Sequence, residues 1–106
     1  MKYLYISLII LSVTQAHAGK WSASLKINQI QSDLSHNYNP VLTFLGPIGS
    51  GCQHDIYGQI SKDIPEYKDM ISLSMMAMAS GKEVRVYTSG CEINGYAKIN
   101  GINVKN

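Results

Sequence analysis

The chain has 106 residues, of which 45% are apolar and 15% charged, and a formal net charge of +2 at pH 7. That length suits one small domain, and the nearly balanced charge favours neither a nucleic acid nor an anionic bilayer as a partner. No apolar run approaches the roughly 20 residues that a spanning helix needs, so membrane insertion is not expected.

In chain order, residues 1–18 read as a secretory signal peptide. Lys2 precedes the apolar run Tyr3 to Val13, and Ala16-His17-Ala18 puts small residues where a signal peptidase cuts. The mature domain is then residues 19–106, secreted or periplasmic. Its first strand is predicted where Trp21, Ala23, Leu25 and Ile27 alternate with Ser22, Ser24, Lys26 and Asn28. Ile30 breaks that phase, which predicts a bulge at Asn28 and Gln29. The polar stretch Ser32 to Asn39 reads as a loop, Val41 to Leu45 as a second strand, Gly46 to Gly51 as a turn, and Ile56, Gly58 and Ile60 as marks of a third strand.

A helix is predicted over Tyr67 to Ser80, capped by Asp63 with Glu66 three residues on, Pro65 in its first turn and Gly81 just past its end. Tyr67, Met70, Ile71, Ser74, Met75 and Met78 have the spacing of a core face, whereas Leu73, Met76 and Ala77 point elsewhere. A helix on one small core needs a single apolar stripe, so this surplus predicts self-association through Leu73, Met75, Met76 and Met78. Glu83 to Thr88 alternates as a fourth strand. Tyr96 to Ile99 and Ile102 to Val104 read as a fifth, kinked at Gly101.

These elements predict a mainly β, α+β domain: a five-stranded OB-fold, the Greek-key barrel, with its helix between strands three and four. The only two cysteines, Cys52 and Cys91, fall just before strand three and just after strand four, and in an exported chain they read as one disulfide. No CxxC or histidine spacing points to a metal, and no cofactor is expected. His54 and Asp55 are neighbours on a strand and point to opposite faces, so they do not make a catalytic pair, and the chain reads as non-enzymatic. The polar residues of the loop, among them Asn37 and Tyr38, together with Ser22 and Ser24 on strand one, have the hydroxyl, amide and aromatic character that sugars require.

The helix followed by Ser80-Gly-Lys-Glu-Val-Arg-Val-Tyr87, and the pair Trp21-Ser22, are similar to the B subunits of AB5 bacterial toxins. The subtilase-cytotoxin and typhoid-toxin type is the nearer resemblance, the cholera type the more distant. That resemblance implies a homopentamer with its helices around a central pore, binding a cell-surface glycan and docking an enzymatic A subunit. It implies a sialic-acid hydrogen bond from the position of Ser22, and an aromatic where this chain has Thr88. The competing reading is a monomeric periplasmic protein with a structural or protein-interaction role.

Overall fold

In the computed structural model, which describes residues 19–105, one helix packs on a mixed six-stranded sheet. The signal peptide expected over residues 1–18 lies outside the described residues. Strands β1 (Lys20–Trp21), β2 (Ile27–Gln31), β3 (Val41–Phe44) and β4 (Tyr57–Gln59) precede helix α1 (Tyr67–Ser80), and β5 (Val84–Cys91) and β6 (Ala97–Val104) follow it. The sheet order is β1-β5-β6-β4-β3-β2. Every pairing is antiparallel except β4 with β6.

The domain is therefore mainly β with one helix and one disulfide, but the expected five-stranded barrel is corrected. The sheet is open, with β1 and β2 at its edges, and the helix lies between the fourth and fifth strands of six. The difference begins in the first predicted strand, which is broken in two. Ser22 turns inward, its hydroxyl accepting the Val86 N–H at 3.0 Å and donating to the Ala23 carbonyl at 2.7 Å. Leu25 then meets β5 only through an isolated bridge to Val84, after which the chain leaves β5 and pairs with β3. Simple alternation fails because the break lets Leu25 and Ile27 go into the core while Trp21 and Ala23 stay exposed. The predicted bulge is present, as a register shift between Ile27 and Gln29.

Leu42, Phe44, Ile60, Val84, Val86 and Ile99 fill the core and are fully or almost fully buried. Gly58 in β4 is required by this packing, since a Cβ there would lie 2.3 Å from Cδ1 of Ile99. α1 contributes Met70, Ser74 and Ala77, an i, i+4, i+7 stripe that packs on β6 and β2. This corrects the expected faces: Ala77 belongs to the core, whereas Met75 and Met78 are 55% and 39% exposed. The helix packs on one side only, so its buried stripe is narrower than the apolar spacing suggested.

The helix start also differs. Glu66 is the N-cap residue and makes no side-chain capping bond, because backbone turns over Ser61 to Glu66 lead into the helix instead. The Ile64 N–H reaches Ser61 O at 3.2 Å and the Tyr67 N–H reaches Ile64 O at 3.0 Å. Gly81 ends the helix as expected, left-handed at φ 71° with its N–H on the Ala77 and Met78 carbonyls.

The Cys52–Cys91 disulfide joins the loop before β4 to the end of β5, with Cα atoms 5.7 Å apart. Asp55 braces that loop by accepting the N–H of Gly49 at 2.8 Å, the N–H of Ser50 at 2.9 Å and the Ser50 hydroxyl at 2.5 Å. Burial pushes the Asp55 carboxyl up, but these bonds and the Lys20 charge outweigh it and hold the group below its ordinary value.

Candidate functional site

The loop between β2 and β3 is built around Asp33. Its carboxylate caps the 3₁₀ turn Leu34–His36, accepting the Ser35 N–H at 3.1 Å and the Ser35 hydroxyl at 2.6 Å. Gln31 Nε2 also donates to it. Bonds from Ser35 and Gln31, with the bond and charge of His36, hold Asp33 well below the usual carboxylate range. Nδ1 of His36 lies 3.1 Å from Asp33 Oδ1 and its Nε2 lies 3.4 Å from the Tyr96 hydroxyl, so the ring bridges the loop to the residue just before β6.

Tyr96 is the centre of an aromatic cluster. Its ring stacks on Tyr57 at 5.0 Å and meets His36 at 5.3 Å and the edge of His54 at 5.8 Å. Tyr96 is held in place by the Asn94-Gly95 turn, where Asn94 Oδ1 accepts its N–H at 3.0 Å and Gly95 at φ 89° donates to the Glu92 carbonyl.

Beside this cluster lies an open cleft of about 520 Å³ whose wall includes His36, Asn37, Asn39, Gln59, Glu92 and Asn94. The exposed side chains of Leu34 and Ile93 also line it. Several polar atoms in this wall are unspent. Asn39 uses its carbonyl on the Lys62 N–H at 3.0 Å and keeps its NH2 group. Gln59 is 6% exposed and its Oε1 accepts from Asn94 at 3.1 Å, while its Nε2 donates to no described residue and is reached by solvent. The cleft thus offers amide donors, one carboxylate acceptor and apolar side chains, a set that suits a ligand rich in hydroxyls and C–H faces.

Among the residues predicted from sequence, Asn37 and Tyr38 are exposed, with consecutive left-handed φ values of 56° and 60°. Asn37 lines this cleft, whereas Tyr38 lines another. Ser24 is half-buried, and Ser22 and Thr88 are buried at 5% and 4% exposure, beneath the β1–β5 edge of the sheet. The structure therefore divides the expected glycan contacts between opposite edges of the sheet. Ser22 spends its hydroxyl on backbone groups, and Ser22→Ala is expected to cost about 1–2 kcal/mol by leaving the Val86 N–H unsatisfied, read as a lower midpoint in thermal unfolding. Leu73, Met75, Met76 and Met78, the expected oligomer contacts, are 37–55% exposed.

Gln59, Glu92 and Asn94 were not singled out as site residues by sequence reasoning. Asn94 lies in the turn between β5 and β6, and Gln59 comes beside it only through the parallel pairing of Gln59 with Lys98, which no local pattern announces. Among the described residues no group of three His, Cys, Asp or Glu side chains could hold a metal ion, and no helix is long and apolar enough to cross a membrane. No protein-family model matches the chain, and a search of curated proteins finds no match to it.

Proposed function

We propose that this chain is an exported, non-enzymatic glycan-binding module that works as an oligomer, in the manner of the toxin B subunits it resembles. The observation that carries the reading is Gln59. A side chain nine-tenths buried, its Oε1 held by Asn94 and its solvent-reached Nε2 bonded to no described residue, lines the cleft ready for an acceptor such as a sugar hydroxyl. The neighbouring amides of Asn37 and Asn39, the Glu92 carboxylate and the apolar Leu34 and Ile93 supply the remaining contacts for one saccharide unit. The disulfide is compatible with an oxidising location, secreted or periplasmic. Self-association rests on the exposed helix residues Leu73, Met75, Met76 and Met78, with a homopentamer and an enzymatic A subunit as the assembly that the resemblance implies.

The test is a glycan array probed with the oxidised protein. Binding above background is expected for at least one glycan, and Gln59→Leu should weaken it about tenfold or more, because the sugar hydroxyl would lose its donor. A thermal melt of the variant separates lost binding from lost fold. An array blank for the folded protein, or full binding by folded Gln59→Leu, would overturn the reading.

A further inference from the structure

A second cleft, of about 450 Å³, opens between the Tyr38 end of the loop and the first turns of α1. Its wall includes Tyr38, Lys62, Tyr67, Lys68, Ile71 and Ser72, and it shares no residue with the cleft that carries Gln59. We infer that this second cleft binds an oxyanion ester, a sulfate or phosphate carried on a ring, with Lys62 and Lys68 meeting the anion and Tyr38 meeting the ring.

The charge pattern is the first argument. Two lysines line the cleft and no acidic residue does, and neither lysine makes an ion pair among the described residues. Asp63, Glu66 and Asp69 belong to the same stretch of chain but lie outside the lining, so attraction here comes from contact and not from a long-range field. A tetrahedral oxyanion carries several acceptor oxygens, and lysines serve such groups as point charges. The Tyr67 and Ser72 hydroxyls, which make no hydrogen bond to the described residues, add neutral donors on the same wall.

The second argument is the conformation of Tyr38. A bulky residue at φ 60° is strained, and its surroundings enforce that strain. Its N–H donates to the Asp33 carbonyl at 2.8 Å, and its own carbonyl accepts the Ser32 hydroxyl at 2.8 Å. The ring is 53% exposed at the cleft, with Nζ of Lys62 5.5 Å from its centre. That cation–π contact steadies the lysine beside the ring before any ligand arrives. Lys62 is also tied to the loop through its backbone, whose N–H donates to Asn39. Buried Pro40 and half-buried Ile71 supply apolar surface for the remainder of a ring-bearing ligand.

The experiment titrates isotope-labelled, oxidised protein with phenyl phosphate and phenyl sulfate, following backbone amide shifts. Phenol, and sodium chloride at matched ionic strength, serve as controls. Saturating shifts confined to Tyr38, Lys62 and the Tyr67 to Ser72 stretch are expected with at least one ester, and about tenfold weaker binding with phenol. Lys62→Gln and Lys68→Gln should each weaken the ester about three- to tenfold, and the pair together should reduce it to the level of phenol. Affinity that climbs with pH for the phosphate alone, through its second ionisation near about pH 6, marks a phosphate site, and a flat preference for phenyl sulfate marks a sulfate site. Equal binding of phenol, equal shifts with salt, or full affinity in the folded double variant would overturn the inference. It stands or falls apart from the glycan reading, because Gln59→Leu leaves this cleft untouched.

Discussion

Removing the Cys52–Cys91 bridge by the paired substitutions Cys52→Ala and Cys91→Ala is expected to lower the free energy of unfolding by about 4 kcal/mol. The bridge spans 39 positions of chain, and in the chain-entropy description a cross-link over that length removes freedom chiefly from the unfolded state. A small domain holds only about 5–15 kcal/mol in all, so the loss is a large share. At about 4–8 °C per kcal/mol for a domain of this size, the thermal midpoint should fall by about 15–30 °C in a calorimetric scan at fixed pH. Substituting both cysteines avoids a lone thiol that would form mixed disulfides. The alternative outcome has a structural source: Asp55 already ties Gly49 and Ser50, and β4 pairs with β6 close by. An unchanged midpoint would mean that these contacts close the loop without the sulfur bridge.

Met76→Glu is expected to reduce the particle in solution from the proposed oligomer to a single protomer while leaving the domain folded. Met76 is 45% exposed, and Leu73, three residues before it, is 37% exposed, so both lie away from the Met70, Ser74 and Ala77 stripe that holds α1 on the sheet. Covering a methionine of this kind contributes about 1.5–3 kcal/mol at full burial. An unpaired carboxylate in the same place costs on the order of several kcal/mol per copy, more than a hundredfold in dissociation constant. Light scattering reads the mass and far-ultraviolet circular dichroism reads the fold. A wild-type protein that is already a stable monomer at micromolar concentration, or a variant of undiminished mass, would remove the helix from the interface.

Element types were legible where local chemistry leaves little choice. Gly81 is the residue that a left-handed helix end accepts, and it ends α1. The phase slip at Ile30 announced the bulge before Gln29. Capping was less legible, because Asp63 and Glu66 have the right spacing for a capping box but the Ser61 to Glu66 turns supply the bonds first. The helix faces were misassigned for a related reason. Met75, Met78 and Ala77 all suit a core by composition, and only the side against which α1 packs decides that Ala77 is enclosed and the methionines are not. Of the candidate site, the loop asparagines were visible as polar turn residues, but Gln59 looked like one more strand position until β4 met β6.

The residues by themselves determined the mainly β character, the single helix and its C-terminal stop, and the pairing of two lone cysteines, since each follows from side-chain shape, backbone preference or simple counting. The tertiary structure alone decided that the first strand breaks at Ser22, that the sheet stays open with six strands, and that Gln59 is bonded to Asn94 through its Oε1. Those outcomes depend on which distant backbone groups compete for the same hydrogen bonds, as when the Ser22 hydroxyl takes the Val86 N–H across 64 positions. Such a competition is settled only when the whole core has closed.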